Sequence, residues 1–360
     1  MRFLIVLWGC FAAVSGDAQI QTPVTTDNPL KTTIDSIVHQ AALVYMQDSS
    51  RIGLSVGILY RGHSYLYNYG QTGPGTGVLP SARTLYEIGS ITKTFTALLL
   101  AHALEEKRID LNDDIRKYLK GVYPDLHYAN GAPVRVVYLL AHIGRFPRSF
   151  IHPIDDHFTD EVLEQELQQV KPDTLRPYKY QYSNAAYQVL GKMLETIYGK
   201  TYNELLAQFI TGPLKMSTTR VNFSGYPYLV KGYDAQGKMM PDISAVLPGA
   251  GSIRSTMSDM VKYMDYQLTE PDPVVRMTHH ALFGDVLNDE NAMPWAIGRT
   301  RDWDYYIRED GGTYGYRCFM QMYPDYQTGI MLLTNQTDDN AGRKLFEMTA
   351  AIFKKLKARR

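Results

Sequence analysis

The chain has 360 residues, 45% of them hydrophobic, which is enough for one large compact domain or two lobes sharing a core. Its 37 basic and 37 acidic residues cancel, so nothing in the charge balance points to nucleic acid or an anionic membrane as partner.

The first 18 residues read as an export signal. Arg2 supplies a short positive region, Phe3 to Val14 an apolar one, and Gly16-Asp17-Ala18 a small-residue cleavage site before Gln19. A secreted or periplasmic mature chain is expected. The apolar run is too short to span a bilayer, and no other run reaches about 18 apolar residues, so no transmembrane segment is expected. A rival reading makes Leu7-Trp8-Gly9-Cys10 a lipid-attachment box. It is disfavoured because Trp8 is bulky for such a site and the apolar region continues past Cys10. Cys10 leaves with the signal, so Cys318 has no intramolecular disulfide partner and reads as a small buried hydrophobe.

After a polar lead-in, apolar residues at Ile34, Ile37, Val38, Ala41, Ala42 and Tyr45 follow helical spacing between Asn28 and Asp48. Leu54 to Tyr60 and Ser64 to Tyr69 read as strands joined by a turn at Arg61-Gly62-His63. A Gly/Pro-rich loop leads to a turn at Gly89 and a helix from Ser90 to about Glu106. This helix is apolar nearly all round, the mark of a buried central helix, which puts Ser90 at the floor of a cleft. Arg108 to Ile115 reads as a turn capping a short amphipathic helix, and the segments up to about Tyr263 as mostly helix or loop, including Asn203 to Phe209 and Ser258 to Gln267. Ala296 to Asp302, Tyr305 to Glu309, Tyr316 to Tyr323 and Ile330 to Thr334 read as strands, and Gly342 to Lys357 as a final helix.

Early strands, a helical middle and late strands predict an α+β fold. Its antiparallel sheet is built from both chain ends and flanked by helices, with a mostly helical lobe inserted. The expected division is a signal peptide over 1–18 and one domain over 19–360, with a sheet lobe at about 28–88 and 250–360 and a helical lobe at about 89–249.

Three short motifs can carry chemistry. Ser90 and Lys93 are three apart and share a helix face. A serine hydroxyl becomes nucleophilic when a nearby amine of lowered pKa takes its proton. The helix start adds free N–H groups and positive potential, which help to hold an oxyanion. Alone, this spacing also fits an N-cap serine followed by an exposed lysine. Tyr182-Ser183-Asn184 offers a phenol to move protons and an amide to orient the lysine and a substrate carbonyl. A second Y-x-N, Tyr128-Ala129-Asn130, ends in a turn signal at Asn130-Gly131 and reads as a chance match. In Glu309-Asp310-Gly311-Gly312-Thr313-Tyr314-Gly315-Tyr316, adjacent glycines let a substrate approach the strand edge, and the Gly312 N–H can complete an oxyanion hole with that of Ser90. The same stretch fits a plain glycine-rich hairpin.

In this order the motifs resemble those of the serine β-lactamase and penicillin-binding protein family, especially its class C β-lactamase and esterase branch: S-x-x-K, then Y-x-N, then a K-T-G or H-x-G strand. The flanks YEIGSITKTFTALLLAHALEEKRIDLNDDIRKYL, VVYLLAHIGRFP, YSNAAYQVLGKMLETIYGK and PGAGSIRSTMSDMVKY are also similar, so the resemblance runs from about Thr33 to Phe353. It implies an acyl-serine hydrolase. Ser90 would be the nucleophile, with Lys93 and Tyr182 sharing the base work. Asn184 would hold Lys93 and the substrate, and the Ser90 and Gly312 N–H groups would form the oxyanion hole. No cofactor or metal is implied, the substrate is a small molecule or peptide, and the oligomeric state is left open.

The pattern breaks at Glu309. The family places a cation there, which recognises a substrate carboxylate and keeps the tyrosine ionised. A carboxylate does neither, and it would raise the pKa of Tyr182 and favour protonated Lys93. That argues against β-lactams and D-Ala termini and for an ester, amide or peptide that lacks the carboxylate or bears a cation. Glu309, Gly311 and Thr313 are expected at the substrate, and Arg148, beside the altered Arg145-Phe146, is a candidate replacement cation. The Glu309 exchange also suits a non-catalytic peptide- or peptidoglycan-binding protein on the same fold. His152-Pro153-Ile154-Asp155-Asp156-His157 holds metal-ligand residue types without metal-site spacing and reads as a surface loop. A Ser-His-Asp hydrolase is a further reading in principle, but His142 belongs to a segment that the family resemblance already explains.

Overall fold

The computed structural model describes residues 24–153, 157–172, 180–221, 225–283, 290–292 and 294–359. The expected export signal and Asp155-Asp156 lie outside them.

Helix α1 (Thr33–Met46) starts at a capping box in which Asp35 N–H donates to Thr32 Oγ1 and Thr32 N–H to the Asp35 carboxylate. It leads into the hairpin β1 (Gly53–Tyr60) and β2 (His63–Gly70). Strand β3 (Leu85–Glu87) and a 3-10 turn (Gly89–Ile91) precede α2 (Thr92–Glu105). The middle of the chain carries α3 (Val136–Leu140), α4 (Asp160–Gln169), α5 (Asn184–Tyr198), α6 (Tyr202–Leu206) and β4 (Arg220–Val221). It continues through β5 (Ile253–Thr256), α7 (Met257–Thr269) and α8 (Pro273–Thr278). Strands β6 (Ala281–Phe283), β7 (Glu290–Ala292), β8 (Ala296–Arg299), β9 (Tyr305–Gly312), β10 (Arg317–Tyr323) and β11 (Thr328–Thr334) are followed by α9 (Ala341–Lys357).

The main sheet is antiparallel in the order β2-β1-β11-β10-β9-β8-β7-β6, so the first hairpin pairs with the last strand. Helices α1 and α9 cover one face, with Ile37, Val38, Leu345 and Ile352 packed on Val56, Ile58, Ile330 and Leu332. Helix α7 covers the other. Gly57 on β1 permits its approach, since a Cβ there would stand 2.5 Å from Met257 Sδ. The α+β architecture is the one the element order predicts.

The region before Tyr263 is mostly helix or loop, as expected, but β5 and β4 within it pair with β3 as a second small antiparallel sheet. These strands are two to four residues long, too short for an alternating pattern to register. Two local readings need correction. Ser90 does not open α2 but sits in the 3-10 turn before it. The helix expected over Asn203 to Phe209 ends at Leu206, and a π-type turn over Ala207–Thr211 follows.

Candidate active site

From Thr92 to Ala101 every residue of α2 is buried, whereas Ser90 is partly open. The turn that presents it needs Gly89, which has φ 49° and would, with a Cβ, meet Gly312 N at 2.4 Å. The same close approach sets the end of β9 beside Ser90. Lys93 follows one turn later, fully buried.

Tyr182 and Asn184 reach Ser90 from the N-terminus of α5. Ser183 caps that helix, its Oγ accepting from Ala186 N–H at 2.9 Å and donating to Pro147 O at 2.5 Å. The Asn184 N–H donates to Arg148 O and the Gln181 N–H to His142 O. His142 Nδ1 accepts from Ser183 N–H at 3.1 Å, and its ring lies 4.7 Å from that of Tyr182. Burial, with the charge of Lys93, pushes His142 down to about 3, so it stays a neutral support for this segment.

The four side chains meet. Ser90 Oγ is 2.6 Å from Tyr182 OH and 3.0 Å from Lys93 Nζ. Lys93 Nζ also donates to Asn184 Oδ1 at 2.9 Å and to the Ala250 carbonyl at 2.7 Å. Burial dominates the amine and drops its pKa from 10.5 to about 7. Glu309 and Asp310 pull it up, as expected of carboxylates, but burial outweighs them. The Tyr182 phenol is pushed up by burial first and by Glu309 second, with the Ser90 hydrogen bond opposing. It is therefore a neutral phenol near pH 7. Glu309 is itself raised well above the usual carboxyl range by burial and by Asp310.

A cavity of about 340 Å³ opens beside Ser90, lined also by Asn184, Gln188, Ile243, Gly251 and Gly312, and walled by the 149–153 segment. The four residues expected to bind substrate stand beside it rather than in its lining. A Cβ on Gly311 would sit 2.1 Å from Ile88 O and 2.5 Å from Cys318 Sγ, so this glycine serves the packing of β9 on the Ser90 turn. Glu309 shares its face through the two-residue strand period. Thr313 Oγ1 is buried without a partner. Arg148 is exposed, with its guanidinium carbon 5.9 Å from the centre of the Tyr182 ring. Gly312 and Tyr314 do line the cavity. The Tyr128 motif belongs elsewhere: Tyr128 is buried and donates to Gly144 O at 2.9 Å.

Sequence reasoning missed three participants. The Ala250 carbonyl is backbone, which carries no residue signal. Gln188 follows Asn184 by four on α5 and so turns to the same cavity. His152, read as part of a surface loop, lines the cavity wall. Among the described residues, no cluster of three or more metal-ligating groups is present, and no helix is long and apolar enough to cross a membrane.

The family model described as "Beta-lactamase" matches residues 38–351. A "Beta-lactamase" of Lysobacter lactamgenus is 27% identical over 280 residues, covering 75% of this chain and 68% of that protein. The "D-alanyl-D-alanine-carboxypeptidase/endopeptidase AmpH" of Escherichia coli K12 is 27% identical over 226 residues, covering 61% of this chain and 58% of that one. The chain thus spans little more than half the length of the second relative. Among solved structures, the citrate complex of a "Beta-lactamase/D-alanine Carboxypeptidase" from Yersinia pestis superposes with a TM-score of 0.78 at 23% identity, over 89% of this chain and 98% of that one. At that identity the likeness is one of fold.

Proposed function

The chain belongs to the β-lactamase family, and on that footing we propose that it is an exported serine hydrolase that cleaves an ester, amide or peptide through an acyl group on Ser90. One observation carries the reading: the three partners of Lys93 Nζ. Two of them, Asn184 Oδ1 and Ala250 O, can only accept hydrogen bonds. A neutral amine spends its two N–H groups on them and turns its lone pair to the third, Ser90 Oγ. With a pKa of about 7, that neutral form is well populated at physiological pH.

Lys93 takes the Ser90 proton as Oγ attacks the substrate carbonyl. The oxyanion forms against the Ser90 and Gly312 N–H groups. Tyr182 gives its proton to the departing oxygen or nitrogen, and the phenolate left behind faces the Lys93 ammonium, whose nitrogen lies 4.8 Å from the ring centre. In deacylation the phenolate takes a proton from water, hydroxide adds to the acyl carbon, and Lys93 returns its proton to Ser90 Oγ. Both groups end as they began. With the acidic pair Glu309 and Asp310 where the family carries a cation, nothing at that end of the cleft answers a substrate carboxylate, which argues against β-lactams and D-Ala termini. The same two acids support a second reading, a peptide- or peptidoglycan-binding protein that does not turn over.

Purified protein and Ser90→Ala are assayed with 4-nitrophenyl acetate and with nitrocefin, and intact mass is recorded after each. Ester turnover and an acyl adduct, both lost in the variant, are expected. An ester rate that survives Ser90→Ala overturns the reading. No rate and no adduct with either compound favours the binding protein. Nitrocefin turnover at a rate matching the ester overturns the substrate preference.

A further inference from the structure

Segment 149–153 forms one wall of the cavity that Ser90 opens into. It is held there by a buried acid. Glu166 on α4, whose side chain is 3% exposed, accepts from Ile151 N–H at 3.0 Å and His152 N–H at 2.7 Å, and its Oε1 lies 2.5 Å from His152 Nδ1. Burial pushes the Glu166 carboxyl up, but these N–H groups and the charge of His152 outweigh it and keep it below the usual range. An ionised carboxylate so buried is costly unless a cation answers it. Among the described residues His152 is its ion-pair partner. The imidazole is half exposed, with Nδ1 committed to Glu166, so Nε2 on the opposite ring edge is the atom available to a ligand. Among the described lining residues, His152 is the one that can carry positive charge. The acids Glu309 and Asp310 lie on the strand that ends at Gly312 and are not among the residues that line the cavity.

From this arrangement we infer that the cavity is an acyl subsite in which the His152 imidazolium, oriented by Glu166, takes a carboxylate carried by the acyl group of the substrate. It rests on the acyl-serine reading. The carbonyl carbon sits at Ser90, the acyl chain fills the cavity, and its anionic end donates no proton but accepts from His152 Nε2–H. Short dicarboxylic half-esters and half-amides, and acyl residues with an acidic side chain, fit this description. The lost cation of the third motif is thereby replaced in kind but not in place, and the substrate is read at a different end. His152 contacts the substrate, whereas Glu166 is a positioning residue.

The test compares kcat/KM for 4-nitrophenyl acetate and 4-nitrophenyl hydrogen glutarate in the full chain, His152→Gln and Glu166→Gln. A charge-assisted hydrogen bond of ordinary strength predicts that the glutarate-to-acetate ratio falls about tenfold or more in His152→Gln. The change is expected mostly in KM of the glutarate ester, with Glu166→Gln in the same direction by a smaller factor. A ratio unchanged in His152→Gln overturns the subsite, as does a wild-type preference for an amine-bearing ester. If neither ester is turned over, the acyl-serine reading fails separately. Calorimetry with glutarate then reads the same contact: binding to the wild type that weakens in His152→Gln upholds it, and equal or absent binding overturns it.

Discussion

Replacing Lys93 with methionine should separate stability from turnover. Lys93 is fully buried, and its pKa falls from 10.5 to about 7 in the folded chain. Between those two values the unfolded lysine holds a proton that the folded one has lost. The unfolded state thus binds more protons, and raising the pH stabilises the wild type. At about 1.4 kcal/mol per pH unit, the gap corresponds to about 5 kcal/mol. Methionine removes this cost but leaves Asn184 Oδ1 and Ala250 O without their donor, at about 1–3 kcal/mol each. Near pH 7 these terms roughly offset, so Lys93→Met should be close to the wild type in stability. By pH 10 the wild type should have gained about 4 kcal/mol on the variant. The Lys93 charge lowers Glu309 in the wild type, so both proteins are also compared on a Glu309→Gln background, where the lysine titrates without that partner. Urea denaturation of both at pH 7, 8, 9 and 10 measures the difference, and ester turnover should vanish in the variant throughout. Stability curves that run parallel across this range would refute the claim that the folded chain holds Lys93 as a neutral amine.

Because Glu309 raises both Lys93 and Tyr182, Glu309→Gln should move the acid limb of the kcat/KM profile to lower pH by about one unit; an unmoved limb would mean the carboxyl acts too weakly to matter. Gly311→Ala drives a methyl into Ile88 O and Cys318 Sγ, which shifts the end of β9 and the Gly312 N–H. The expected loss in kcat is about 100-fold or more, with the fold retained by circular dichroism, and a loss below tenfold would argue against Gly312 as an oxyanion donor. Ser183→Ala removes the cap of α5 and its bond to Pro147 O. It should lower stability by about 1–2 kcal/mol, seen as a drop in melting temperature, and an unchanged melting temperature would show the cap is dispensable.

Local periodicity and motif order were sufficient for much of this protein. The apolar spacing of α1 and α9, the all-round apolar run of α2 and the short apolar runs of β1, β10 and β11 are properties of short windows, readable without knowing what covers them. Ser90 and Lys93 are neighbours through helical pitch alone, and Tyr182-Ser183-Asn184 stands out by its place in the order of motifs. The tertiary structure decided the rest. It placed the Ala250 carbonyl at Lys93 across 157 residues, joined β3 to β5 and β4, and set Glu166 beneath His152. Residue pattern says which face is apolar but not which distant segment covers it. The balance at Lys93 shows the consequence: the pull of Glu309 could be signed from its charge, whereas the burial that outweighs it is the summed effect of everything packed around the amine, which no stretch of sequence contains.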